Sequence, residues 1–238
     1  MLLINAVTWS AAYPRRHRLR DVFQWYAQRL PTSPALDFKM IDAEADVVRA
    51  IRHGADGVII SGSPRDAWTD DPMNDKLCEA IFECRDLGVP FLGVCYGHQL
   101  LGRALGGEVA PHPKGFELGT IPIQLTTAGE RFPLFAGIAS EFEVLLSHAD
   151  AVLTMPAGCE LLATGSFTTI QSFHWNHQLM GVQFHPELDP ESLRFIWSAR
   201  RAVWRDKVTF DLDAVLDQLR PAPLAAKIFH NFVHHFMT

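Results

Sequence analysis

The residues with the clearest chemical potential lie in Gly93-Val94-Cys95-Tyr96-Gly97, a glycine–x–nucleophile–x–glycine run with cysteine at its centre. A sharp strand-to-helix turn brings neighbouring backbone close, so it needs small residues two places either side of the reactive side chain. A cysteine so placed points its sulfur away from the sheet and sits at a helix N-terminus, where the dipole and unpaired N–H groups favour thiolate. The alternative is a small buried thiol in a core strand, the usual fate of a free cysteine; the flanking glycines speak against it. A thiol nucleophile needs a base, and the base needs a carboxylate to orient it. Gln183-Phe184-His185-Pro186-Glu187 offers both. His185 and Glu187 are two apart, so in extended backbone they share a face, with Pro186 fixing the turn between them. Alone, such a pair is an ordinary surface ion pair; on the same sheet edge as an elbow cysteine it reads as base and orienter. A third segment, Ser61-Gly62-Ser63-Pro64, leaves an apolar run as a turn whose backbone N–H groups can hold an anion. It reads equally well as a plain strand-to-helix turn.

These segments need rigid elements behind them. Val89–Val94 is a short apolar run suited to a buried parallel strand. Leu100, Leu101, Ala104 and Leu105 then fall at helical spacing until Gly106-Gly107 ends the helix. Upstream, strands are predicted over Leu2–Val7, Ala35–Ile41 and Gly57–Ser61. Helices are predicted over Arg16–Leu30, Ala43–Arg52 and Met73–Leu87. This alternation gives an α/β fold with a doubly wound, mostly parallel central sheet, flanking helices and ligands at the carboxyl ends of the strands. Beyond Gly107 the rhythm changes. Phe116–Leu125, Glu141–Leu146, Glu160–Ala163, Thr168–His174 and Gln178–Phe184 read as strands without long helices between them, a small antiparallel extension of the sheet. Pro190–Arg205 and Leu224–Phe236 read as closing helices. No repeat or linker divides the chain, so a single domain over 1–238 is expected.

Composition narrows the partners. Of 238 residues 48% are hydrophobic and 20% charged, which is ordinary for a soluble globular chain. The net charge of -6 gives no reason to expect nucleic acid or an anionic membrane. The basic cluster Arg15, Arg16, Arg18 and Arg20 is explained by a solvated helix start. No apolar run approaches membrane-spanning length, and the first residues read as a strand rather than a signal peptide. Cys78, Cys84, Cys95 and Cys159 show neither disulfide nor metal spacing, which points to a cytoplasmic setting. His230, His234 and His235 lack a third ligand and read as a solvated helix face; His174 and His177 flank a hairpin around Asn176.

GVIISGSP (57–64), GVCYGHQLLGRALGG (93–107), ELG (117–119), SHAD (147–150) and GVQFHPE (181–187) together resemble the triad, or class I, glutamine amidotransferase family. The resemblance implies Cys95 as nucleophile, His185 as general base and acid, and Glu187 as orienting carboxylate. It places an oxyanion hole at the backbone N–H groups of Gly62 and Tyr96, and substrate contacts at Gln99 and at the backbone near Ser147 and Ala149. It calls for a small γ-glutamyl substrate and for no cofactor or metal ion. Two positions depart from the synthetase-type pattern: Ser63 and Ala149 stand where glycine is common. Non-glycine residues resist positive φ, so these two positions leave the loop geometry and the exact substrate placement open. With SGSP (61–64), KGFELG (114–119) and an extended C-terminal helical region, the chain looks most similar to the stand-alone γ-glutamyl peptidase-like branch, and a synthetase domain is not expected within it. The alternatives are a glutaminase subunit delivering ammonia to a separate synthetase, as in GMP synthetases, and a non-catalytic binding protein. Residues 65–72 are expected to wall the leaving-group side, with Trp68 as an apolar contact and Asp70 and Asp71 as an acidic rim.

Overall fold

A computed structural model describes residues 1–7, 18–31, 36–204 and 207–237. Arg15 and Arg16 lie outside the described residues, as do the side chains of Arg18 and Arg20. Five strands run parallel in one half of a nine-stranded sheet: β2 (Lys39–Asp42), β1 (Leu2–Asn5), β3 (Val58–Ile60), β4 (Phe91–Val94) and β11 (Leu179–Val182), in that spatial order. The other half continues from β11 through β10 (Ser172–Trp175), β9 (Cys159–Thr164), β6 (Glu117–Leu125) and β7 (Glu141–His148), every pairing antiparallel. The expected extension is therefore part of the central sheet. A separate two-stranded ribbon pairs β5 (Glu108–Pro111) with β8 (Asp150–Thr154).

The parallel half is apolar on both faces, as its near-continuous hydrophobic runs require. Leu3, Ile59, Leu92, Val94 and Val182 point to one face, covered by Val22 and Tyr26 of α1 (Arg18–Ala27) and by Ile228, Phe229 and Phe232 of α8 (Lys227–Phe236). Leu2, Ile4, Val58, Ile60 and Phe91 point to the other. There they meet Val47 and Ile51 of α2 (Val47–Arg52), Leu77 and Ile81 of α3 (Pro72–Leu87), and Leu100 and Leu101 of α4 (Tyr96–Ala104). After the short α5 (Thr127–Arg131), two further helices make a third cluster. Leu193 and Trp197 of α6 (Pro190–Trp204) and Leu212 and Leu216 of α7 (Leu212–Asp217) pack on Leu118 and Leu145 of the antiparallel half.

Element ends follow local chemistry. Asp71 caps α3 by accepting from the Met73 N–H at 2.9 Å, Pro72 occupies its first position, and Gly88 closes it at φ +71°. Asp46 caps α2 through the Arg49 N–H, so that helix begins four residues later than its apolar pattern suggested. The strand expected over 168–174 pairs only from Ser172, where a register shift opposite β9 breaks the ladder. Asn176 and His177 take positive φ of 50° and 55° at the tight turn between β10 and β11. His230, His234 and His235 lie on the exposed face of α8.

Candidate active site

Three adjacent parallel strands deliver the principal groups to one sheet edge. β4 lies between β3 and β11, with Gly93 opposite Ile60 on one side and Val94 opposite Val182 on the other. Gly62, Cys95 and His185 follow the carboxyl ends of these three strands. The Cys95 N–H donates to the Val182 carbonyl at 2.8 Å, and the His185 N–H to Leu145 of β7 at 2.9 Å. Both candidates are thus tied to backbone before any side chain is considered.

Cys95 has φ 51° and ψ -100° and serves as N-cap of α4. A non-glycine residue at positive φ is costly and persists only where its surroundings hold it. The two glycines show what does so. A Cβ on Gly93 would stand 2.3 Å from the Gly97 carbonyl oxygen, and one on Gly97 would stand 2.5 Å from the Ile60 carbonyl oxygen. The turn folds back on β4 and against β3 more closely than any side chain permits. Tyr96 is the first residue of α4, so its N–H belongs to the four that a helix leaves without an internal partner. The Tyr96 hydroxyl donates to Asn74 Oδ1 at 2.5 Å, which pins the helix start to α3.

His185 Nδ1 and Glu187 Oε1 lie 2.7 Å apart, and both residues are buried. Burial alone would push the imidazole pKa down; the charges of Glu187 and Cys95, with hydrogen bonds to both, outweigh it and hold the pKa well above its ordinary value. The imidazolium is therefore the favoured form beside the cysteine. Gly62 closes the arrangement from the β3 side: a Cβ there would meet His185 Cε1 at 2.9 Å and Cys95 Cβ at 3.6 Å. Its turn is fixed by Ser61, whose Oγ accepts from the Ala6 N–H and donates to the Gly62 carbonyl, each at 2.9 Å.

Cys95, His185, Glu187, Gly62, Gln99, Ser147 and Ala149 all line one cavity of about 560 Å³. Gln99 Nε2 donates to the Asp150 carbonyl at 2.7 Å and to Gln183 Oε1 at 3.2 Å, so it braces the 147–150 segment from below. Ser147 Oγ accepts from the Trp197 indole at 2.9 Å. His148, which also lines the cavity, bonds Glu117 at 3.0 Å and the Asp150 carbonyl at 2.8 Å. Ser63 and Ala149 do not need the conformation that glycine supplies. Among the described residues only Cys95, Asn176 and His177 adopt positive φ without being glycine. The departure in sequence therefore imposes no strain.

The acidic rim differs from expectation. Asp71 is committed to the α3 cap and to Arg65 at 2.6 Å, while Asp70 is fully exposed 3.5 Å from Arg103; neither lines the cavity. Besides Glu187, the carboxylates that do are Asp66 and Asp150. Burial, then the charge of Asp66, pushes Asp150 up to about 6; Trp68 and Asp66 hydrogen-bond to it. Trp68 is 42% exposed and does not line the cavity. Asp150 closes the SHAD motif and could have been found there. Asp66 and Arg65 are the members of the 65–72 segment that do line the cavity, whereas Tyr26, another lining residue, gave no signal, because only the folded chain brings it to the edge.

Among the described residues no group of three or more histidine, cysteine or acidic side chains is placed to hold a metal, and no helix is long and apolar enough to cross a membrane. Comparison with known proteins agrees with this architecture. The glutamine amidotransferase class-I family model matches residues 25–194. Gamma-glutamyl peptidase 5 of Arabidopsis thaliana is 34% identical over 140 residues, 58% of this chain and 56% of the relative. A glutamine-hydrolyzing GMP synthase of Streptococcus thermophilus is 40% identical over 149 residues, 60% of this chain and 26% of that protein. The match thus spans little over half of the first relative and about a quarter of the second. A glutamine amidotransferase structure from Methylobacillus flagellatus superposes with a TM-score of 0.73 at 19% identity, covering 98% of this chain and 93% of that one. With the elbow, the site edge and the family match in agreement, the chain belongs to the class-I glutamine amidotransferases, a family of cysteine-dependent amidohydrolases.

Proposed function

We propose that this protein hydrolyses γ-glutamyl amide bonds through a thioester on Cys95, with His185 as acid and base and Glu187 as its orienting carboxylate. The observation that carries this reading is the convergence at one sheet edge of a strained elbow cysteine and a buried imidazole held 2.7 Å from a carboxylate. Thiolate sulfur attacks the γ-carbonyl carbon, and the carbonyl electron pair moves to oxygen. There the N–H groups of Gly62 and Tyr96 stabilise it, electrostatic help that is available without reorganisation. As the tetrahedral species collapses, His185 gives its Nε2 proton to the departing amine. The neutral imidazole then takes a proton from water, whose oxygen attacks the thioester carbonyl; glutamate leaves and the thiolate returns. Glu187 keeps the ring in register through Nδ1 without moving a proton itself.

The substrate end of the cavity lies near Gln99, Ser147 and Ala149. Its remaining lining holds an apolar stretch, Trp25, Phe116, Leu193, Ile196 and Trp204, with the charged side chains of Arg65, Asp66, Arg200 and Lys207 beside it. Ammonia, the leaving group of glutamine, has no use for such a wall, whereas an amino acid or peptide amine carrying an apolar side chain would bury surface on it. This supports γ-glutamyl peptides or amides larger than glutamine as substrates. The 40% identity to a GMP synthase favours a second reading, a glutaminase acting with a separate synthetase.

Both readings are tested by measuring kcat/KM for glutamine, γ-glutamyl dipeptides and γ-glutamyl amines without a partner. Preference for the dipeptides is expected, with turnover abolished in Cys95→Ser. His185→Ala should lose roughly 10²–10⁴-fold, and Glu187→Gln less. A clear preference for glutamine, or turnover only after a synthetase is added, would favour the second reading; greater damage from Glu187→Gln with the fold intact would overturn the assigned roles.

A further inference from the structure

The structure assigns a joint task to Glu117 and His148, the polar residues of the ELG and SHAD motifs that the proposed chemistry leaves unused: they are a positioning pair that fixes the 147–150 segment on which the γ-glutamyl group is held. The inference rests on the γ-glutamyl reading proposed above. Glu117 of β6 stands opposite His148 of β7 in the strand register, so the pair sits where the chain leaves the large sheet for the β5–β8 ribbon. Both side chains are 1% exposed. His148 Nε2 lies 3.0 Å from Glu117 Oε2, which also accepts from Gln171 Nε2 at 3.3 Å. On its other side, His148 Nδ1 lies 2.8 Å from the Asp150 carbonyl oxygen.

These contacts fix where the protons are. A carbonyl oxygen only accepts, so Nδ1 carries a proton toward Asp150. The bond to Glu117 then needs one proton more, either on Nε2 facing a carboxylate or on Glu117 facing a bare nitrogen. In both arrangements the pair has no net charge and both bonds are made, as burial requires. The Asp150 carbonyl accepts from Gln99 Nε2 as well, at 2.7 Å. Gln99 also donates to Gln183 Oε1, the Gln183 N–H donates to the Gln171 carbonyl at 2.8 Å, and Gln171 returns to Glu117. The hydrogen bonds thus close a ring behind the segment. From the ribbon side the His112 N–H donates to the Ala149 carbonyl at 2.7 Å. Two consecutive carbonyls are held in this way, next to Ser147 and Ala149 of the cavity lining. With its ring buried, His148 acts on substrate through this backbone and takes no part in breaking the bond.

Substitutions separate the two bonds of the ring. His148→Gln sets an amide nitrogen as many bonds from Cβ as Nε2 is, which keeps Glu117 partnered and gives up the bond to Asp150. Glu117→Gln supplies an N–H to a bare Nε2 and leaves the Nδ1 bond intact, whereas Glu117→Ala leaves the ring unheld. Binding of L-glutamine and of a γ-glutamyl dipeptide is measured by calorimetry in a Cys95→Ala parent, which cannot turn them over, together with the thermal midpoint. His148→Gln should keep the midpoint near that of the parent and weaken both compounds by about tenfold, the scale of one lost hydrogen bond. With Cys95 restored, KM should rise by a similar factor while kcat stays within about threefold. Glu117→Ala should weaken binding likewise, and Glu117→Gln should restore it to within about threefold of the parent. Unchanged binding in His148→Gln would overturn the proposal, as would a loss confined to kcat. A collapsed midpoint in His148→Gln would make the ring a structural support and overturn it too, whatever the fate of Glu117→Ala. Equal damage from Glu117→Gln and Glu117→Ala would show that charge, not the hydrogen bond, is needed, and would also overturn it. A Cys95→Ala parent that binds neither compound would overturn the γ-glutamyl reading itself, an outcome visible before any variant of the pair is made.

Discussion

At the residue scale the four cysteines separate by environment. Burial pushes the thiols of Cys78 and Cys159 up to about 11 and that of Cys84 up to about 12. For an acid the sign is direct: a raised pKa keeps the group protonated, and unreactive as a nucleophile, until the pH approaches that value. Cys95 is the cysteine that lines the cavity, beside an imidazolium. Mild iodoacetamide treatment at pH 7–8 followed by peptide mass spectrometry should find Cys95 carboxamidomethylated well before the other three, with labelling of those rising only in strong alkali. Equal labelling of all four at neutral pH would refute the elbow assignment. The elbow at Cys95 was legible in sequence because its constraints are local: two glycines, one apolar strand and one helix start within fifteen residues. Glu187 was legible for the same reason, two residues from His185. Tyr26 belongs to the same cavity, but its proximity is created by chain topology, and no spacing along the sequence carries it.

At the element scale the elbow depends on backbone approach rather than on side-chain packing. Gly93→Ala would set a methyl group 2.3 Å from a carbonyl oxygen of the same turn, and Gly97→Ala one 2.5 Å from a carbonyl oxygen of β3. Neither obstacle is the movable end of a flexible side chain, so the strand and helix would have to part. Overpacking of this kind costs roughly 1–3 kcal/mol or more. Each variant should lower the thermal midpoint, by roughly 2–4 °C per kcal/mol for a chain of this size, and should lose activity beyond what the destabilisation explains, because Cys95 shifts with the turn. Gly106→Ala, in contrast, adds a Cβ into open space at φ +86°, a penalty of strain alone and remote from the site. A Gly93→Ala variant as stable and active as wild type would show that the close approach is not required. Elements were readable where strong local signals agreed, as in α3 with its Asp71 cap, Pro72 and Gly88. They were missed where the element is short: β5 has four residues with a mostly exposed pattern, and α7 has six.

At the scale of the whole molecule the cavity sits where two kinds of sheet meet. The parallel half supplies the chemistry at the ends of β3, β4 and β11, and the antiparallel half brings Ser147 and Ala149 at the end of β7. Helix α6 leaves the His185–Glu187 turn and packs with α7 on β6 and β7, so the segment that follows the candidate base also forms the apolar wall. The proposed substrate selection by that wall and the proposed bond cleavage by Cys95, His185 and Glu187 thus rest on different side chains and should be separable by mutation. Ile196 is the most informative position, being half-buried on α6 and lining the cavity without belonging to the stack of Phe116, Trp197 and Trp204. Ile196→Ala removes about three carbons of contact, which at ~0.8 kcal/mol per buried CH₂ is an upper bound of roughly 2 kcal/mol because the side chain is only partly covered. The expected result is a tenfold rise, approximately, in KM for a γ-glutamyl dipeptide with an aromatic C-terminal residue. Glutamine, whose leaving amine does not reach the wall, should keep its kcat/KM within about twofold, and the thermal midpoint should fall only slightly. Equal losses on both substrates would place Ile196 in the support of the site rather than in the recognition of the leaving group, and the assignment of the apolar wall to that subsite would fail.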